Sequence, residues 1–366
     1  MKVLGLVCEF NPFHNGHRYL IEKAKRETAC DAVIAVMSGN FVQRGTPAIT
    51  DKYTRAEIAI SNGVDLVLEL PSAFTLHSAH YFAKKSVETL IATGVVNVIA
   101  FGSESGDISL LQKAADSPAQ PQCTDPSVST ARAIAKNADD SGLYTPNNIL
   151  GIEYLRALKF FNSTIIPYTC SRIGVDHDDT DTAAGFASAS HLRKRLYQGL
   201  PICDFAPEIY QVPANLSVWE HIVLYRLRTM TSDELATVPG VSEGIQNRII
   251  NASKEASSYD ELLTLIKTKR YTRSHIERIL ACAVLGIRPE HLLCKPYIRV
   301  LAANKAGTAL LRVIKSNMPV ITKTADAPYH PVLETECRTD DVYALLCEDK
   351  RGNVTYRQSP KIKQDF

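Results

Sequence analysis

No C-x-x-C pair, no apolar stretch of membrane-spanning length and no strong net charge occur anywhere in this chain. Each absence removes a class of protein. The nine cysteines, an odd number, are scattered from Cys8 to Cys347, which fits reduced thiols in a cytoplasm better than a disulfide frame or a zinc ribbon. Without a long apolar run a transmembrane helix is excluded, and Met1-Lys2 followed directly by a strand pattern lacks the layout of a signal peptide. Lys and Arg total 41 against 39 Asp and Glu, a formal net charge of +2, so any nucleic-acid surface has to be local. No dedicated carboxylate cage for a cation is visible either. What remains is an ordinary globular composition, 45% hydrophobic and 22% charged, and 366 residues are enough for two or three structural units.

The most informative stretch is Val3–Arg18, VLGLVCEFNPFHNGHR. Val3–Val7 has the length and branching of a buried strand. A polar turn with Asn11, Pro12 and Phe13 follows, and then a helix through Leu20. His14 and His17 stand three apart at the first turn of that helix, hence on one face. The same end offers free N–H groups and the positive dipole terminus, and Gly16 has no side chain to block the backbone. These features describe a phosphate site. A metal site and a plain pair of helix-start histidines are the competing readings; no third ligand follows at zinc spacing.

The pattern then repeats. Strands are expected at Ala32–Met37, Val64–Leu70, Val95–Phe101 and Thr164–Tyr168, with helices over 51–62, 77–93 and 149–160. Such alternation predicts an α/β fold, a Rossmann-like doubly wound parallel sheet, whose ligand lies beyond the carboxyl ends of the first and fourth strands. Gly102 should therefore face the His14–His17 turn. Residues 114–130, rich in proline, are expected to be a loop, and an acidic loop is expected at 176–182. Ser188, Ser190 and Arg193 open a further helix and offer hydroxyls and a cation to a polyphosphate. Ser38–Arg44 with Lys52–Arg55 is expected to be a lid or an RNA-facing loop; a solvated loop is equally open.

Past a linker at 204–217, residues 218–288 have helical spacing, and a small strand–helix–strand unit closes the chain from Tyr297. Residues 1–205 are expected to form the catalytic domain and 206–366 a mainly helical region with that small α/β unit. Val238–Gly244 resembles a helix-hairpin-helix turn, able to take a nucleic-acid phosphate. Close by, Lys267, Lys269, Arg270, Tyr271 and Arg273 form the densest basic segment, with a tyrosine able to stack. A plain helix connection and a solvated charged face compete with that reading.

With these residues assembled, the chain resembles the nucleotidyltransferase branch of the HIGH superfamily. His14-Asn15-Gly16-His17 stands as the H-x-G-H signature, and Ser188–Arg193 as the S-x-S/T-x-x-R element. More closely it resembles the bacterial tRNA-Met cytidine acetate ligases, on GLVCEFNPFHNGH, MSGNFVQRGTPAITDKYTRAE, GVDLVLELP, FGSES and PNNILGIEYLRAL. It departs from that family at Ser127–Ala135, where a tyrosine is missing. The resemblance implies a two-step ligase. ATP, with Mg2+, converts acetate to acetyl-adenylate, and the acetyl group passes to the wobble cytidine of elongator tRNA(Met), giving N4-acetylcytidine. It assigns His14, His17, Arg193, Ser188 and Ser190 to catalysis. Val7, Phe10, Asn11, Pro12, Phe13, Asn15, Gly16, Leu20, Gly102, Asn147, Asn148 and Arg172 fall to the nucleotide. No residue pattern marks an acetate pocket; the small apolar niche near Phe10–Phe13 is the candidate, chosen apart from the resemblance. A small-molecule adenylyltransferase and a non-catalytic RNA-binding protein remain as alternatives.

Overall fold

The computed structural model describes residues 1–117, 143–172, 185–207 and 213–363. The segment Ser127–Ala135, the acidic loop at 176–182 and most of the 114–130 stretch lie outside the described residues, as does part of the 204–217 linker.

The first half alternates as its apolar runs dictate: β1 (Val3–Cys8), α1 (Asn15–Glu27), β2 (Ala32–Ser38), α2 (Lys52–Ser61), β3 (Leu66–Leu70), α3 (Ser72–Thr75), α4 (Ala79–Ala92), β4 (Val96–Ser103), α5 (Ile108–Asp116), α6 (Pro146–Phe160), β5 (Ile166–Ser171) and α7 (Ala189–Tyr197). Helices follow: α8 (Leu216–Thr229), α9 (Ser232–Ala236), α10 (Ile245–Glu255), α11 (Tyr259–Ile266), α12 (Arg273–Leu285) and α13 (Pro289–Leu293). The chain closes with β6 (Ile298–Ala303), α14 (Lys305–Val313), β7 (Val320–Ile321), α15 (Pro331–Ala344), α16 (Val354–Arg357) and β8 (Lys361–Ile362).

Among the described residues the sheet runs β5-β4-β1-β2-β3-β6-β7, with β8 also on β6. β1 pairs in parallel with both β2 and β4, so strand order reverses around β1, and the carboxyl ends of β1 and β4 open a crevice. Side chains alternate between two cores, as a period of two requires. Ile34, Val36, Leu66 and Leu68 face one layer, whereas Leu4, Leu6, Val33 and Ala35 face the other. The first core continues without a break into Trp219, Val223, Ile276 and Leu280 of the later helices.

The terminal strand–helix–strand unit is present, and β6 joins the main sheet antiparallel to β3. All six of its residues are buried. A buried ionic cluster reinforces that junction. Lys52 Nζ meets Glu69, Asp340 at 2.7 Å and Glu336 at 3.8 Å, and Arg299 reaches Glu69 at 3.0 Å. Ser72 donates its backbone N–H to Glu336, and Asn40 donates to Asp340. The expectation of a lid over Ser38–Arg44 and Lys52–Arg55 is therefore corrected. Lys52 and Arg55 are fully buried, and Arg55 donates to the carbonyls of Glu9, Ser38, Gly39 and Thr50. Gly45, at φ +97°, lies so close to α12 that an added Cβ would stand 2.4 Å from the Arg278 nitrogen. Lys52 and Arg55 are internal struts, whereas Arg44, at the end of the first stretch, is exposed and borders the cleft described below.

Candidate active site

β1 ends in a turn where Phe10 has a left-handed φ of 46° and the Asn11–Pro12 peptide is cis. His14 then caps α1. Its Nδ1 accepts the Gly16 N–H at 3.1 Å, while His17 Nδ1 accepts the His14 N–H at 3.2 Å. The two rings stack with centroids 3.8 Å apart. An Nδ1 that accepts a hydrogen bond carries no proton, so in the neutral ring the proton sits on Nε2. Burial, then Arg172 and Arg193, lowers the His14 pKa to about 3. Burial, His14 and Arg172 lower that of His17 well below the ordinary value. Both imidazoles are neutral Nε2–H donors at pH 7, and the positive charge beside them belongs to Arg172 and Arg193. The first-turn amides that the sequence suggested would be bare are occupied: Gly16 donates to His14 Nδ1, Asn15 to the Phe205 carbonyl and His17 to the His14 carbonyl. Gly16 matters for a further reason: a Cβ there would lie 2.9 Å from His14 Cε1, so any side chain would displace the cap.

The turn opens on a cleft of about 1780 Å³ whose walls bring together Val7, Phe10, Asn11, His14, Gly16, His17, Leu20, Gly102, Asn147, Arg172, Ser188 and Arg193. Gly102 lines the same cleft as the histidine turn. Arg193 is anchored by donating to the Asn11 carbonyl at 2.7 Å, and Ser188 caps α7 by accepting the His191 N–H.

Five other expected residues are off these walls. Phe13 is fully buried, its centroid 4.8 Å from that of Phe10 and 5.5 Å from that of His17; it backs the turn. Pro12 shapes that turn through its cis bond. Asn15 donates to the carbonyls of Gly185 and Asp204, tying the approach of α7 to α1. Asn148 is fully buried, its Oδ1 accepting the amides of Glu104 and Ser105, which fixes the turn after β4. Ser190 lies 3.2 Å from Ser188. Glu104 reciprocates by accepting from Thr145, Asn147 and the Asn148 amide.

The far wall comes from the later helices. Gly240, Val241 and Ser242 of the hairpin-like turn line the same cleft with Arg270, Tyr271, Arg273 and His275. His275 holds the Gly240 carbonyl at 3.0 Å and stacks on Tyr271 at 5.7 Å between centroids. The charge of this segment is smaller in space than in sequence. Arg270 pairs with Glu243, and Arg273 pairs with Asp260 at 2.8 Å and Glu277 at 3.0 Å. Lys267 and Lys269 are exposed and lie outside the cleft. Arg44, from the stretch read as a lid or RNA-facing loop, also lines it, and so do Glu9, Trp219, Tyr259, Glu277 and Arg278, which were not among the expected site residues. Of these only Glu9 carried a signal, its place directly after an apolar strand. Among the described residues no helix is long and apolar enough to cross a membrane.

The model of the HIGH nucleotidyl transferase family matches residues 1–358. A tRNA(Met) cytidine acetate ligase of Clostridium perfringens is 36% identical over 99% of this chain and 100% of its own. One from a Thermoanaerobacter species is 39% identical over 94% and 95%. Crystal structures of Thermotoga maritima TmcAL superpose with TM-scores of 0.91 for the apo form and 0.88 for the form bound with alpha-thio ATP, at 31% and 30% identity over the whole of both chains. The chain belongs to the HIGH nucleotidyltransferase family and, within it, to the tRNA(Met) cytidine acetate ligases.

Proposed function

We propose that the protein uses ATP to convert acetate into acetyl-adenylate and then transfers the acetyl group to the wobble cytidine of elongator tRNA(Met). The observation that carries this is the stacked His14–His17 pair flanked by Arg172 and Arg193 at the ends of β1 and β4. A carboxylate at neutral pH is a poor electrophile and a cytosine amine is a poor nucleophile, so a mixed anhydride with AMP supplies the reactivity. The protein then has to hold the triphosphate in line and meet the charge that develops on leaving pyrophosphate. His14 and His17 donate from Nε2, while Arg193 and Arg172 supply the countercharge. Ser188 offers its hydroxyl from the start of α7, with the Ser190 hydroxyl behind it at 3.2 Å. Gly102, Val7, Leu20 and Asn147 pack about the adenosine, and Phe10 borders the acetate.

Among the described residues, those at the crevice do not form a magnesium cage. Among the described residues, the one trio of carboxylates close enough to share a cation, Glu69, Glu336 and Asp340, is already filled by Lys52. Mg2+ is assigned only as the counter-ion that the triphosphate carries in. The cleft volume, about 1780 Å³, exceeds the roughly 300–1,000 Å³ of small-molecule pockets, which favours a macromolecular acceptor over a small-molecule adenylyltransferase. Lys267, Lys269, Arg270, Tyr271 and Arg273 are assigned to that RNA, and the reaction to the cytoplasm.

The test is pyrophosphate release from ATP, with and without acetate, and analysis of tRNA(Met) for N4-acetylcytidine. Acetate-dependent release with acetylated product is expected. Turnover without acetate, or on a small phosphorylated acceptor alone, would overturn the reading.

A further inference from the structure

The second half-reaction needs something the first does not. When the N4 amine of cytosine becomes an amide it must lose a proton, and its lone pair is delocalised into the ring. A hydrogen-bond acceptor positioned against N4 serves both demands. A carboxylate is the group that pairs with a cytosine amine, and in the same place it repels the O4 carbonyl of uridine. This inference rests on the function proposed above.

Among the described residues four carboxylates line the cleft: Glu9, Glu220, Asp260 and Glu277. Asp260 and Glu277 are committed, since they share Arg273. Glu220, like Glu9, accepts one backbone N–H, that of Tyr259 at 2.6 Å, but it stands on α8, in the wall built by the later helices. Glu9 is set apart by its position. It follows β1 directly, which places it at the carboxyl end of the strand that carries the histidine turn. It is fixed from both sides, because its carbonyl accepts from Arg55 at 2.6 Å and its Oε1 accepts the Gln43 N–H at 2.8 Å. Its Oε2 accepts no hydrogen bond among the described residues, and its side chain makes no ion pair within 4.0 Å there. The carboxylate nevertheless lies within electrostatic reach of Arg193, so it borders the phosphate-binding group without being consumed by it.

We propose that Glu9 is the residue that receives the target cytidine: its Oε2 accepts an N4–H and takes that proton during acetyl transfer. The N4 nitrogen forms its bond to the acetyl carbon. The bond from that carbon to the phosphate oxygen breaks, its electron pair leaves on AMP, and the N4 proton passes to the Glu9 carboxylate. Because the same oxygen accepts from N4, Glu9 also selects cytidine over uridine at the modified position.

Glu9→Gln tests this by separating the two half-reactions. Acetyl-adenylate is trapped with hydroxylamine as acetohydroxamate, which requires ATP and acetate but no tRNA. Transfer is measured in a single turnover on a tRNA(Met) transcript. A positioned base contributes roughly 10²–10⁴-fold, so transfer is expected to fall at least about 100-fold and hydroxamate formation far less. The Gln carbonyl still accepts from N4, so the loss appears in the rate at saturating tRNA rather than in KM. Equal loss in both assays would place Glu9 in adenylation, and wild-type transfer would remove it from the reaction; either result overturns the proposal. Should Glu9→Gln fail to fold, Glu9→Asp, one methylene short, is expected to show the same split, and a parallel loss refutes it. Wild-type enzyme that forms hydroxamate yet leaves tRNA(Met) unmodified would instead overturn the proposed function.

Discussion

Replacing Lys52 with Met removes the centre of the buried ionic cluster that holds the end of the chain to its beginning. In the wild type three carboxylates face two cations: Glu69, Glu336 and Asp340 against Lys52 and Arg299. Burial and the neighbouring Glu69 raise the Glu336 pKa, so Glu336 keeps its proton and the cluster is neutral. Without Lys52 only Arg299 remains, 3.0 Å from Glu69 and 4.0 Å from Asp340, and one buried carboxylate is left uncompensated. Breaking a buried pair on one side costs about 3–5 kcal/mol. With an unfolding entropy of roughly 2.1 cal/mol/K per residue, a loss of about 4 kcal/mol lowers Tm by about 5 °C in a chain of this size. Urea denaturation at pH 7.5 should show the lower midpoint at an unchanged slope. The deficit should shrink at pH 5. In the variant the stranded carboxylate has a raised pKa, so the folded state binds more protons than the unfolded one, and acidification favours folding. A deficit under about 1 kcal/mol, or one that grows on acidification, would refute the reasoning.

Gly45→Ala is expected to cost about 2–4 kcal/mol, because the φ of +97° and the α12 backbone at 2.4 Å act together. Gly63→Ala, at φ +98° with only Ile21 nearby at 3.4 Å, should cost about 1–2 kcal/mol; equal losses in denaturation would dismiss the contact. Stability should also fall in mild acid. The His14 pKa is about 3 in the folded protein against about 6.5 unfolded, so its contribution is full above pH 6.5 and is lost as pH drops toward 3. That amounts to about 2 kcal/mol by pH 5, and urea titrations of His14→Gln should lack that part of the slope. Lys267→Ala with Lys269→Ala should weaken tRNA binding and flatten its salt dependence, whereas Arg270→Ala, already paired with Glu243, should do less. Equal salt slopes for both variants would contradict that ranking.

The half of the fold that positions the site was legible because it is written locally. An apolar run, a proline turn and a helix start fix β1 and α1, and the rule for strand order alone brings Gly102 to the cleft that His14 lines. What the sequence concealed depends on distant partners. Lys52 and Arg55 read as part of a lid or an RNA-facing loop, yet two of the three carboxylates that enclose Lys52, Glu336 and Asp340, come nearly three hundred residues later. β6 looked like part of a separate unit, since nothing in an apolar run names the edge it joins. The basic segment looked more positive than it is, because Glu243 and Asp260 arrive from neighbouring elements. The charge state of the histidines was also hidden. Their spacing marked a phosphate site, but only the stacked rings and their Nδ1 bonds show that they are neutral donors.

The most direct test of the central claim, that the His14–His17 turn carries adenylation, is acetate-dependent exchange of pyrophosphate into ATP by His17→Ala, with tRNA binding measured alongside. Loss of one such donor commonly costs about 10²–10³ in rate, so exchange is expected to fall at least about 100-fold while the variant still binds tRNA(Met). Exchange at the wild-type rate would contradict the account.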